Sequence, residues 1–237
     1  MTSIDFKLEK HKTHLVYTFP GITAGTSLKA SGDFKLGKSK DEREVFLNSV
    51  GVEFYSLVAL EQTHSNRVHC YQEGGLITDA DAVITDKSGV VLTIQTADCC
   101  PVFVYDKSNT AVGLIHAGWK GIQTGIVQNT IEALNREYGL TSENLQCFIG
   151  PTIGSCCYEF AKDYVPEFKP FIEERDQRGF LNIPELVKGQ LIQLGIKESN
   201  ILNSKICTSC SGDDFFSYRR DGKQTGRMIS YITKNSF

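Results

Sequence analysis

No run in this chain approaches the roughly 18 consecutive apolar residues that a membrane-spanning helix requires, so the sequence offers no transmembrane segment and no membrane partner. The opening residues, MTSIDFKLEKHKTHLVYTFP, break their only apolar run with charges and lack the continuous hydrophobic stretch of a secretory signal. Prolines number only six and no Gly/Ser tract occurs, which leaves no candidate interdomain linker, and no repeat unit recurs along the chain. A net charge of -3 with interspersed signs lacks the basic footprint of a dedicated nucleic-acid binder. Two methionines and five histidines are few for a protein built around several copper centres.

Cysteine, by contrast, is plentiful. Eight are present, and the adjacent pairs Cys99-Cys100 and Cys156-Cys157 do not suit a disulfide framework, so a reducing, cytoplasmic setting is expected. Composition and the mixture of short apolar runs predict one α+β domain over residues 1–237. Strands are expected at His14 to Phe19, Tyr55 to Leu60, Val90 to Ala97, Val102 to Tyr105, Ala111 to Ile115, Leu145 to Ile149, Ile201 to Cys207 and Arg227 to Ile232. Helices are expected over Ser39 to Val50, capped by Ser39, over Trp119 to Tyr138, stopped by Gly139, over Val165 to Glu174, and over Ile183 to Leu194, capped by Asn182. Gly21 to Gly37 reads as an irregular glycine-rich segment.

The stretch TADCCPVFVYDKSNTAVGLIHAGWKG, from Thr96 to Gly121, ends two apolar runs in side chains that ligate metals or attack electrophiles. If the strand beginning near Pro101 turns at Asp106 to Asn109 and comes back, His116 returns beside Cys99 at one sheet edge. A thiolate and an imidazole so placed suit zinc or copper, or else a nucleophile and its base, or else two residues of a packed core. His64, in QTHSNRV after the strand ending at Leu60, occupies a similar strand end and is the natural third ligand.

Other motifs are less telling. Gly32 to Ser39, GDFKLGKS, spells the phosphate-loop pattern, yet Thr26 to Ser31 before it does not read as the buried strand such a loop requires. Cys207-Thr208-Ser209-Cys210 is a single C-x-x-C with no further ligands near it in sequence, and reads as two ordinary thiols at a strand end. Phe215 to Gly222, FFSYRRDG, joins aromatics to two arginines, either for stacking and anion recognition or as a hairpin with solvated arginines. Gly118 to Gly121 and Gly150 to Gly154 read as turns where backbone approaches a ligand.

Taken in order, QTHSNRV, DADAVIT, TADCCPV, HAGWKG, IGPTIGSCCYE and FFSYRRDGKQTGRM resemble the laccase-domain family once called multicopper polyphenol oxidase-like, over about Tyr55 to Tyr231. The resemblance implies a four-layer αββα sandwich with mixed sheets. It implies a metal site at His64, Cys99 and His116, holding Zn²⁺ or Cu²⁺. It further implies phosphorolysis of adenosine, inosine, guanosine and methylthioadenosine, with purine nucleosides and inorganic phosphate as partners, plus adenosine deamination. Bacterial relatives are also associated with peptidoglycan editing. The family's usual N-terminal arginine is missing from Phe19 to Ser27. On this reading His64, Cys99, His116 and Arg219 are catalytic, and Gln62, Asp98, Phe216 and Arg219 bind substrate, with Asp98 also able to orient the site. Three rival expectations accompany it: a copper polyphenol oxidase, a hydrolase of peptidoglycan precursors using Cys99 with His116, and a non-catalytic zinc-stabilised binding module.

Overall fold

The computed structural model describes residues 6–36, 40–71, 73–161 and 165–235. The first half of the chain forms β1 (Lys7–Lys10), β2 (His14–Phe19), β3 (Ile22–Ser27), helix α1 (Lys40–Ser49), β4 (Ser56–Glu61), β5 (Val68–Cys70), β6 (Gly75–Thr78), β7 (Ala82–Thr85), β8 (Val90–Thr96), β9 (Cys100–Asp106) and β10 (Val112–Ala117). The second half adds α2 (Trp119–Thr124), α3 (Ile126–Tyr138), β11 (Leu145–Ile149), β12 (Ile172–Arg175), β13 (Arg178–Leu181), α4 (Ile183–Gln193), β14 (Ile201–Asn203), α5 (Tyr218–Asp221) and β15 (Met228–Lys234).

Two mixed sheets result, one ordered β1-β2-β3-β15-β8-β4-β6 and the other β14-β11-β9-β10-β7-β5. Side-chain alternation along each central strand explains why they stack. On β9, Phe103 and Tyr105 point into a core shared with Leu15, Tyr17, Leu92 and Ile232 of the first sheet, while Val102 and Val104 face the helices. On β15, Met228 and Ile232 face that inter-sheet core, and Ile229 and Tyr231 meet Phe46 and Leu47 of α1 on the outer face. The far face of the second sheet is covered by Ile126, Val127, Ile131 and Leu134 of α3 and by Leu186, Val187 and Leu191 of α4. Each of these fully buried aliphatics contributes roughly 1.5–3 kcal/mol. Helix, sheet, sheet and helix thus form the expected α+β, αββα arrangement.

Several elements differ from expectation. Ile22–Ser27 is not irregular but a strand buried between β2 and β15, and Gly25 is needed there because an added Cβ would lie 2.4 Å from the Tyr231 hydroxyl. A strand therefore does precede GDFKLGKS, but a 3-10 turn at Lys29–Ser31 separates them, and residues 37–39 of that motif, with the expected Ser39 cap, lie outside the described residues. The helix foreseen across Trp119 to Tyr138 is broken at Gly125, whose φ of 95° lies in the left-handed region. Val165 to Glu174 is not an α-helix: Pro170 would stand in its interior, where it lacks the N–H an α-helix needs, so a 3-10 turn (Pro166–Phe171) leads into β12, which pairs with β13. FFSYRRDG is no hairpin either, since Ser217 caps the single helical turn of α5 by accepting the Arg220 N–H at 3.2 Å. Asn182 caps α4 as expected, accepting the Glu185 N–H.

Candidate metal centre

The turn at Asp106 to Asn109 returns β10 antiparallel to β9, with His116 opposite Pro101 and Ala117 opposite Cys100. Cys99 sits in the connection where the chain leaves β8 of one sheet and enters β9 of the other. His64 arrives from the first sheet, just past the end of β4, at a φ of 60°. The site therefore lies at one end of the seam between the two sheets, and the donor atoms of His64, Cys99 and His116 all fall within 4.8 Å of one another.

Asp81, at the foot of β7, organises this group. Its buried carboxylate accepts the backbone N–H groups of Thr63, His64 and Ser65 at 3.2, 3.0 and 2.6 Å and the Ser65 hydroxyl at 2.7 Å. It also lies 2.7 Å from Nδ1 of His116, which leaves Nε2 as the ring nitrogen that can meet Cys99 or a metal ion. Burial alone raises a carboxyl's pKa, but the bonds from His116 and Ser65 prevail and hold Asp81 at about 2. Burial likewise opposes a thiolate at Cys99, yet the charge of His116 and hydrogen bonds from both histidines draw this thiol down to about 6. His116 moves the opposite way: burial disfavours its cation, and Cys99 and Asp81 more than offset that, raising it to about 9. The Cys99 sulfur lies 3.7 Å from Nε2 of His64. Gly118 makes this crowding possible, because a Cβ there would stand 2.7 Å from the His64 ring and 3.3 Å from the Cys99 sulfur.

A thiolate and two imidazoles, converging with no fourth donor among the described residues, form the donor set of an open zinc or copper site. The centre faces a cleft of about 770 Å³. Tyr158, Trp119 and Tyr218 give this cleft aromatic walls, and Lys35, Arg219 and Arg227 give it positive charge. The Arg219 guanidinium sits 5.0 Å from the centre of the Tyr158 ring and donates through Nη2 to the Glu159 carbonyl at 3.0 Å.

Of three expected substrate contacts, Asp98 and Gln62 line the cleft, each with hydrogen bonds to the protein, and Phe216 does not line it. Asp98 lines the cleft, but its carboxylate accepts from the Thr208 hydroxyl at 2.6 Å, the Ser217 hydroxyl at 3.0 Å and the Arg219 N–H at 2.6 Å, so it ties down the segment that presents Arg219. Gln62 spends both ends of its amide on the main chain of Gln95, at 2.7 and 2.8 Å, locking β4 to β8. Phe216 packs against Gly226 and below Lys29 and does not line the cleft. Among the two arginines of FFSYRRDG, Arg220 binds the carbonyls of Thr208, Ser209 and Phe215 and holds its own loop. Asp81, Tyr158, Trp119, Lys35 and Arg227 were not singled out from sequence. Asp81 carried one legible signal, a carboxylate opening the apolar run AVIT.

Fold and site together define an α+β protein with a candidate metal site of two histidines and one cysteine. Residues 30–235 match the family described as multi-copper polyphenol oxidoreductase laccase, and the chain belongs to that family. It is 38% identical to a purine nucleoside phosphorylase of Clostridium acetobutylicum over 185 residues, 74% of this chain and 75% of that one. It is 30% identical to an adenosine deaminase of an unknown prokaryotic organism, over 81% of this chain and 80% of the other. The crystal structure of YlmD from Geobacillus stearothermophilus superposes with a TM-score of 0.89 at 26% identity, covering 99% of this chain and 100% of that chain.

Proposed function

We propose that this chain is a zinc-dependent purine nucleoside enzyme, splitting adenosine, inosine, guanosine and methylthioadenosine with phosphate and deaminating adenosine with water. The observation that carries this reading is one cleft lined by the His64, Cys99 and His116 donor set, by aromatic rings and by cationic side chains. The names of the relatives point the same way. A zinc ion held by the three donors supplies a Lewis acid with an open position, able to activate water or to help hold phosphate. The remaining work falls to the protein. Tyr158, Trp119 and Tyr218 offer faces on which a flat purine stacks. Arg219 offers a planar fork for two phosphate oxygens, and a phosphate so held would meet the ribose C1′ as positive charge develops on the ribose. Asp98 is a positioning residue that fixes the backbone of Arg219, and Asp81 is the positioning residue that keeps His116 in the tautomer with Nε2 available.

Incubating the metal-replete protein with adenosine, with and without phosphate, tests this. Adenine and ribose 1-phosphate should form only with phosphate, and inosine should form without it. Absence of all three products would end the reading.

A second reading, a hydrolase of peptidoglycan precursors with Cys99 as nucleophile and His116 as base, is favoured by one observation: the drawn-down thiol beside an imidazole. Alkylation separates the two, because a thiolate held by metal resists iodoacetamide until a chelator removes the ion. The copper oxidase reading finds less support. Met228 is buried with its sulfur 3.1 Å from the Phe216 N–H, and His11 and His14 stack on each other at 4.8 Å, outside any ligand cluster among the described residues.

A further inference from the structure

Half of the chain's cysteines converge at a second place. Cys156 and Cys157 lie in the turn beyond β11, and Cys207 and Cys210 lie in the turn beyond β14. These strands are parallel neighbours, and their pairing extends past both ends: the Thr152 N–H donates to the Ile206 carbonyl at 3.1 Å and the Thr208 N–H to the Thr152 carbonyl at 3.1 Å. Register therefore delivers the two cysteine turns to one point, so Cys207 and Cys210, expected as two ordinary thiols at a strand end with no further ligands nearby in sequence, have two more cysteines beside them in space. All four sulfurs lie within 4.8 Å of one another, with Cys210 at 3.1 Å from both Cys156 and Cys157.

Four sulfurs around a zinc ion at the usual bond length form a tetrahedron with edges of roughly 3.8 Å, in the middle of the observed range. The surroundings fit thiolates. The Cys207 sulfur accepts the Gly154 N–H at 3.3 Å and backbone N–H groups from Ser209 and Cys210 within its own C-x-x-C turn. Arg175, Arg178 and Arg219 line the small cleft that Cys156 and Cys157 share with Glu159 and Asp176, so cations stand near the negative charge that four thiolates on one divalent ion would leave. Cys100 and Cys147, by contrast, are buried apolar members of the sheet core, as unligated cysteines commonly are.

We infer that Cys156, Cys157, Cys207 and Cys210 bind a second zinc ion in a closed tetrathiolate site. With four protein ligands it has no open position, and its role is structural. It joins the loop of Tyr158, one residue after Cys157, to the irregular segment from Ser204 to Ser217 that leads to Arg219. Beyond the single bridge between Thr152 and Cys207, the regular structure of that segment is one 3-10 turn at Gly212–Asp214, so a metal clamp supplies order that secondary structure does not.

The test is zinc analysis and zinc-edge X-ray absorption on the full chain, prepared under reducing conditions. Wild type should hold about two zinc ions per chain. The variant His64→Ala/Cys99→Ala/His116→Ala, in which all four clamp cysteines remain, should keep about one, with four sulfur neighbours at about 2.3 Å. Cys207→Ser/Cys210→Ser should lose that all-sulfur signal, and because this variant can fail to fold, the triple-alanine measurement stands as the deciding one. A triple-alanine variant without zinc, or with zinc bound through nitrogen or oxygen, overturns the inference. So does a Cys157–Cys210 disulfide found by mass spectrometry in the reduced preparation.

Discussion

His116 presents Nε2 to the centre because Asp81 occupies its other nitrogen, and that buried pair governs the chemistry at the scale of single residues. Asp81→Asn should weaken zinc binding by about tenfold or more, measurable by competition with a chelating dye. The same substitution has a signed effect on stability. The folded carboxyl at about 2 lies below its unfolded value, so its contribution is fully present above about pH 4 and is lost as the pH falls through 2. Urea melts of wild type and Asp81→Asn should differ by about 2 kcal/mol at neutral pH and converge in acid; a gap that stays constant down to pH 2 contradicts the assignment. Arg219 makes the sharper functional prediction. Arg219→Lys should lower phosphorolysis by about 10²-fold, equivalent to about 3 kcal/mol of lost charge stabilisation, and lower deamination less, because water is the nucleophile there. Scoring adenine against inosine from adenosine reads both at once, and equal losses would assign Arg219 to nucleoside binding or to the fold. His64, Cys99 and His116 were legible because each stands where an apolar run meets polar residues. Phe216 sat in an equally suggestive motif but packs at Gly226 outside the cleft, a placement that leaves no mark in the linear sequence.

Elements explain how such separated residues meet. The β9–β10 hairpin fixes His116 near Cys99, and the N-terminal glycine of the α2 turn lets His64 close in. Gly118→Ala should therefore displace His64 or the Cys99 sulfur while leaving both sheets intact. The expected result is a loss of zinc affinity of at least about tenfold with an unchanged far-UV circular dichroism spectrum; unchanged affinity would show that the close approach is dispensable. The hairpin was readable from β-branched runs on either side of Asp106 to Asn109, whose loop is closed by the Asp106 carboxylate accepting the N–H groups of Ser108, Thr110 and Ala111. β3 was not readable, because its Ile-Thr-Ala-Gly-Thr-Ser sequence has little apolar character and takes its burial from strands β2 and β15 on either side. Val165 to Glu174 misled in the opposite sense: apolar spacing imitated a helix that Pro170, in its interior, interrupts.

At the scale of the molecule, two sheets with a shared aromatic core leave one end of their seam open, and both cysteine-bearing sites cluster around it. The layering was legible because most central strands are buried on both faces, which gives near-continuous apolar runs rather than alternation. The convergence of Cys156-Cys157 with Cys207 and Cys210 was not, since it depends on the register of two parallel strands far apart in sequence. Metal should stabilise this seam as a ligand stabilises any folded state, so chelation should lower the thermal midpoint and added zinc restore it in a concentration-dependent way.

The most direct test of the metal-centre reading follows activity against occupancy. Metal-depleted protein, refilled stepwise with zinc and supplied with adenosine and phosphate, should gain activity in proportion to zinc bound by His64, Cys99 and His116. Iodoacetamide applied to the depleted protein should block its reactivation by zinc, and applied to the refilled protein should spare its activity. Full activity without metal, abolished by alkylation of Cys99, would contradict the account and make Cys99 the nucleophile.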